Sequence, residues 1–186
     1  DIAESYARKD ARIRVVTNQT FLNQVQNYNH ALCQMDSSSR YCKIVQADDW
    51  IFPECVDKMV RMAIRYPEVG IVGAYGLFGS KVLLSGVPIE SAVLPGREIC
   101  RKCLLEELFV FGTPTSLLMR CDLIRKRVPF YREVSPFEDL EACYEILQES
   151  DFAFVHQVLT YTRRDNESIF SAIRSYGTED LANLIV

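Results

Sequence analysis

The stretch Tyr41-Cys42-Lys43-Ile44-Val45-Gln46-Ala47-Asp48-Asp49-Trp50 decides the reading of this chain. Its apolar run, Ile44-Val45, stops at two adjacent carboxylates. A short apolar run bounded by a polar break marks a buried strand, predicted over 41–47. In open α/β sheets, ligands lie beyond the carboxyl ends of the strands, which is where Asp48 and Asp49 fall. Two neighbouring carboxylates repel unless a cation offsets them. The oxygen-seeking cations Mg²⁺ and Mn²⁺ suit such a pair, above all when a phosphate completes the shell. A plain strand-end turn accounts for the same two residues equally well, so the stretch alone leaves both readings open.

Upstream, Arg12-Ile13-Arg14-Val15-Val16 alternates apolar with charged and predicts a strand over 12–17. Leu22, Val25, Asn29 and Leu32 are spaced three, four and three, which predicts a helix over 21–35. Asn29 falls on its apolar face. A buried amide needs partners, so it reads as a satisfied core residue that ties down a loop. Downstream, Val56, Met59, Val60, Ala63 and Ile64 give a helix over 53–65 one apolar stripe, with Pro53 in its first turn and Tyr66-Pro67 as its stop. Gly70 to Tyr75 is a strand. The alternation of strand, helix, strand, helix, strand argues for a parallel α/β sheet.

Beyond Gly76 the rhythm changes. Lys81 to Leu84 reads as an edge strand and 86–97 as a loop. A helix is predicted over 98–108 and strands over 115–119 and 152–162. Ser135 and Glu138, three apart with Pro136 between, predict a capping box opening a helix over 138–149. That role uses Glu138 and leaves Asp139 as a first-turn acid, whose charged form the helix dipole favours. The basic residues from Arg120 to Arg132 read as a solvated face. Arg163 and Arg164 end the last strand. Residues 167–186 read as a helical tail.

The chain has 186 residues, one domain's worth, with 48% apolar content and a net charge of −4. That balance implies no general attraction to nucleic acid or to an anionic membrane. No apolar run is long enough to span a bilayer. There are seven cysteines. Cys100 and Cys103 have no second pair or nearby His to complete a zinc site. A reducing, cytoplasmic setting is expected. Trp50 suits either a sugar-stacking surface or an anchor for the helix start.

Taken together, Arg12 to Val16, Asn29, Gln46-Ala47-Asp48-Asp49, Pro53 and Glu138-Asp139 resemble the family 2 glycosyltransferases of GT-A fold. The resemblance runs from about Asp1 to Ser171. It implies a single GT-A-like α/β domain with a mixed, mostly parallel sheet and helices on both faces. It implies transfer of a sugar, with inversion, from a nucleotide-diphosphate donor to an acceptor hydroxyl. Carried onto this chain, Asp48 and Asp49 contact a divalent cation, Mg²⁺ or Mn²⁺, and the nucleotide. Asp139 is the catalytic base. Arg163 and Arg164 meet the diphosphate, since arginine's planar fork fits phosphate oxygens.

The chain departs from the family pattern at two places. The acidic motif usually begins with Asp, and here that position is Gln46. Many relatives carry a His after an Arg near the last strand, and here Arg163-Arg164 is followed by Asp165. The family's opening strand-helix-strand unit also does not precede Asp1, so the chain reads as part of a longer protein with an open sheet edge, and a homodimer through that edge is expected. The second reading is a non-catalytic GT-A-shaped binding or assembly module, to which Gln46 points.

Overall fold

The computed structural model describes residues 1–163, so the tail at 167–186 and Arg164 lie outside the described residues. In chain order the elements are α1 (Ile2–Ala7), α2 (Gln24–Leu32), β1 (Tyr41–Cys42), β2 (Trp50–Ile51), α3 (Cys55–Arg65), β3 (Val69–Phe78), β4 (Lys81–Leu83) and β5 (Val93–Leu94). They continue with α4 (Gly96–Leu105), a 3-10 turn at Pro114–Ser116, β6 (Leu118–Arg120), α5 (Cys121–Arg125), α6 (Glu138–Ile146) and β7 (Asp151–Thr162). The strands form one sheet in the order β1-β6-β3-β7-β2, with β4 on β3 and β5 on β7.

The centre of the sheet is the long parallel pair β3 and β7. The other described ladders, β1 with β6, β2 with β7, β3 with β4, β3 with β6 and β5 with β7, are antiparallel. The sheet is mixed, as expected, but parallel pairing among the described residues is confined to its centre. One reason is that the strand expected over 12–17 does not join it. These residues lie outside every ladder, with Ile13, Val15 and Val16 41%, 41% and 51% exposed. Alternation supplies a strand's faces, but only a neighbouring ladder supplies its hydrogen bonds.

Successive side chains of β3 point to opposite faces. Ile71 packs in one core with Leu32 of α2, Ile99 of α4, Ile124 of α5 and Cys143 and Ile146 of α6. Val72 and Ala74 pack in the other with Cys55, Met59 and Ala63 of α3. β7 repeats the pattern: Phe152 and Phe154 enter the first core and Ala153 the second. Both phenylalanines are fully buried, worth about 1.5–3 kcal/mol each. Helices therefore cover both faces.

The α3 stripe is rotated from the predicted one. Cys55, Met59 and Ala63, each four apart, face inward, while Val56 and Ile64 are exposed. The small Cys and Ala allow α3 to lie close to the sheet. The strand predicted over 152–162 carries a bulge: Val155 pairs with Ala74 and Val158 with Tyr75. The bulged Gln157 accepts from Lys58 Nζ and donates to Glu54 Oε1, pinning β7 to α3.

The elements that carry the acids are fastened by polar contacts. Asn29 holds Tyr131 by its backbone, donating to the carbonyl and accepting from the N–H, both at 2.8 Å. That is the satisfied amide expected from sequence. α2 also has a capping box, Asn23 with Gln26, which the sequence reading passed over. The basic face is ion-paired rather than simply solvated. Arg127 and Arg132 each pair with both Glu141 and Glu145, fastening the preceding loop to α6.

Candidate active site

β1 is laddered only at Tyr41 and Cys42, and the chain runs on to a turn at Gln46-Ala47-Asp48-Asp49. The Asp49 N–H closes it on the Gln46 carbonyl at 3.1 Å. The turn sends the two acids apart. Asp48 is exposed, whereas Asp49 is 9% exposed. Trp50 and Ile51 then pair with Tyr161 and Thr160 at the end of β7. This pairing brings Asp49 to Arg163, whose backbone N–H donates to Asp49 Oδ1 at 3.3 Å.

Burial raises the Asp49 pKa. The neighbouring Thr115 and Thr162 hydroxyls and the Arg163 N–H act against that, and the charge of Asp48 adds to it. The other carboxylate oxygen, Oδ2, is buried without a hydrogen-bond partner among the described residues. A buried carboxylate oxygen left bare is costly. It is the atom that a divalent cation would satisfy, with Asp48 beside it as a second oxygen donor. The described residues hold no cluster of three His, Cys, Asp or Glu suited to a metal. Two acids alone would leave most of a divalent cation's shell to other oxygen donors.

Lys43, Tyr28 and Thr115 belong to the site and escaped the sequence reading. Lys43 Nζ donates to the Thr115 carbonyl. Burial pushes its pKa down to about 8, with opposing pulls from Cys55 and Asp49. The signal for it was available: a lysine between Cys42 and Ile44 in a buried run must find partners. The Thr115 hydroxyl accepts from the Gln46 N–H at 3.1 Å and donates to Gln46 Oε1 at 3.4 Å. Gln46 Nε2 donates to the Tyr28 hydroxyl at 2.7 Å. Gln46 is thus spent on the protein.

Tyr28 also lies within electrostatic reach of the start of α6. Burial raises its pKa, and the charges of Glu138 and Asp139 push the same way. Both acids therefore stand near the phenol that Gln46 holds, and the start of α6 shares a neighbourhood with the acid turn. Asp139 is half-buried, its Oδ1 accepting from the Leu140 N–H at 2.8 Å. Burial raises its pKa and outweighs that N–H and its own. The helix start was expected to favour the charged form. Burial reverses the net direction, because the cost of desolvating the charge exceeds what the helix start returns.

The predicted capping box at Ser135 and Glu138 does not form. Phe137 occupies the cap position with no side-chain bond, and Ser135 Oγ instead accepts from the Phe137 N–H at 3.2 Å. A serine hydroxyl often takes the N–H two residues on, and that local turn wins here. Glu138 is left without the structural role assigned to it, and burial raises its pKa too. Arg163 is exposed at the end of β7. Trp50 and Tyr161 stack at 4.1 Å with ring planes 8° apart, beside Asp49 on the edge strand.

Comparison with known proteins bears on this geometry. Curated protein sequences give no match. Solved structures of S. aureus TarS share the fold. The form spanning 1–349 in complex with UDP-GlcNAc has 15% identity and a TM-score of 0.68, over 92% of this chain and 47% of that one. The same form in complex with UDP has 17% identity and a TM-score of 0.61, over 93% and 49%. The longer TarS structure has 16% identity and a TM-score of 0.63, over 94% and 30%. This chain thus spans half or less of those it matches. The family model described as glycosyl transferase family 2 matches residues 1–128, which includes the acid turn and stops short of Asp139. With that model matched over more than half of its length, the chain belongs to glycosyl transferase family 2.

Proposed function

We propose that this domain binds a nucleotide-diphosphate sugar at the end of the sheet marked by Asp48, Asp49 and Arg163, and transfers the sugar with inversion to an acceptor hydroxyl. The observation that carries the reading is the link from the acid turn through Gln46 and Tyr28 to the start of α6. A site for the leaving diphosphate and a base for the acceptor must flank one reacting carbon, and the nearness of both acid pairs to Tyr28 supports that reading. The UDP-GlcNAc and UDP bound by TarS support a uridine diphosphate sugar as donor.

Asp48 and Asp49 would hold a divalent cation, Mg²⁺ or Mn²⁺, whose contribution when bound is Lewis-acid stabilisation of the departing diphosphate. Arg163, with Arg164 following it in sequence, adds positive charge for the phosphate oxygens. The Asp139 carboxylate takes the acceptor's hydroxyl proton as the oxygen attacks the anomeric carbon. The new carbon–oxygen bond forms as the bond to the diphosphate breaks, and the nucleoside diphosphate leaves with the electron pair. Attack opposite the leaving group inverts the centre. A pKa raised by burial brings Asp139 closer to neutral pH, which strengthens it as a base.

The Gln46 side chain has structural work between α2 and the 3-10 turn, so the cation reading rests on Asp48 and Asp49 alone. The seven cysteines are free thiols, which suits a cytoplasmic setting. No helix among the described residues is long and apolar enough to cross a membrane. The test is binding and turnover of UDP-GlcNAc and UDP-glucose by the protein, with and without Mg²⁺ or Mn²⁺. Cation-dependent binding with release of UDP is expected. Absence of binding to any nucleotide sugar in either condition contradicts the reading.

A further inference from the structure

Tyr28 stands between the acid turn and the start of α6. Its hydroxyl oxygen accepts from Gln24 Nε2 at 2.8 Å and from Gln46 Nε2 at 2.7 Å. A phenol has one proton to give and two lone pairs to receive with. Both lone pairs are taken by amide N–H groups, so the remaining proton serves only as a donor. Gln46 is held in that sense from its other end, where its Oε1 accepts from the Thr115 hydroxyl. The ring is held as well. It packs on Tyr131 with ring centroids 5.8 Å apart, and the next residue, Asn29, clamps the Tyr131 backbone.

Among the described residues both hydrogen bonds at the Tyr28 hydroxyl use its oxygen as acceptor, so its proton is left for a ligand. Its partner must be an oxygen. The leaving diphosphate belongs to Asp48 and Asp49 and the attacking hydroxyl to Asp139, so the group between them is the sugar being transferred. We propose that Tyr28 donates a hydrogen bond to a hydroxyl oxygen of the transferred sugar and is a specificity-determining residue for the donor. This rests on the transferase reading above. The raised pKa of the phenol, which burial causes first, agrees with a group that keeps its proton for donation.

The test is calorimetric titration of wild type and Tyr28→Phe with UDP and with UDP-GlcNAc or UDP-glucose, whichever the wild type binds more tightly. Phenylalanine keeps the ring and removes only the hydroxyl. Affinity for UDP should stay within about twofold, and affinity for the UDP-sugar should fall by about five- to tenfold, the scale of one neutral hydrogen bond. Melting temperature should fall slightly in both liganded and free protein, because Gln24 and Gln46 lose their acceptor. Equal weakening of both ligands, or no weakening of the UDP-sugar, overturns the assignment of Tyr28 while leaving the transferase reading standing. A wild type that binds neither ligand overturns both.

Discussion

Asp48 and Asp49 part at a turn, one in solvent and the other buried with a bare oxygen, whereas Glu138 and Asp139 enter a helix together and both have pKa values raised by burial. In sequence the two pairs look alike. The difference lies in what surrounds each charge. The turn gives its acids unequal exposure and one unsatisfied oxygen, an arrangement that a bound cation would complete. The helix start withdraws its acids from water without giving either a cationic partner among the described residues, an arrangement that favours holding a proton. On the function proposed above, the adjacent carboxylates divide into a pair for binding and a pair for proton transfer, and the backbone sets their different surroundings.

The largest expected effect separates the two members of the helix pair. Asp139→Asn keeps size and the contact to the Leu140 N–H but loses the proton acceptor. Turnover should fall by about 10²-fold or more, with donor affinity retained. Glu138→Gln should change turnover only a few-fold, because no structural or cation contact depends on its charge. Steady-state kinetics of both variants, read beside donor affinity, checks this. Equal losses would erase the distinction within the pair.

Next in size is the turn. Asp49→Asn should weaken cation-dependent donor binding by at least about tenfold, the scale of a lost charge-assisted contact. It should also raise the melting temperature, since it removes a buried carboxylate that lacks a partner on one oxygen. A variant that loses stability and keeps donor binding would mean that Asp49 serves the fold instead.

Asn29→Ala tests the clamp that holds α2 beside both pairs. It strips the Tyr131 N–H and carbonyl of their partners and should cost about 1–3 kcal/mol in urea unfolding. A change within error would show that the loop finds other partners.

The smallest effect is in pH. The folded pKa of Asp139 lies above its unfolded value, so its proton binds more tightly in the folded state. Its contribution to stability is present at low pH and disappears as pH rises through the raised pKa. Asp139→Asn, always neutral, should therefore be more stable than wild type near neutral pH and lose that advantage on acidification. Activity runs the opposite way, rising with pH through the same pKa. Thermal melts of both proteins between roughly pH 4 and 8 measure the first, and a rate profile the second. A parallel pair of melting curves would place Asp139 in solvent.

Much of this was legible in the sequence, and the failures have physical causes. Helices α2, α3 and α6, the central strands and the role of Asn29 follow from spacing, although α3 buries Cys55 where Val56 was expected. The strand at 12–17 failed because pairing depends on a neighbour that periodicity does not supply. The capping box failed because Ser135 had two backbone N–H groups within reach, and the nearer one won. In the site, the two acidic pairs were visible as sequence, but their difference in exposure was not. Tyr28 and Thr115 were invisible because a tyrosine in a helix and a threonine in a turn need no special explanation. Lys43 was readable and was passed over.

The most direct test sets Asp49→Asn against Asp139→Asn in one experiment, measuring UDP-sugar affinity and single-turnover transfer or hydrolysis for both at saturating Mg²⁺ or Mn²⁺. The account predicts a crossed result. Asp49→Asn should lose donor affinity, and Asp139→Asn should bind the donor as wild type does and fail to turn it over. Loss of affinity in both, or turnover undiminished in Asp139→Asn, would contradict the division of labour between the turn and the helix.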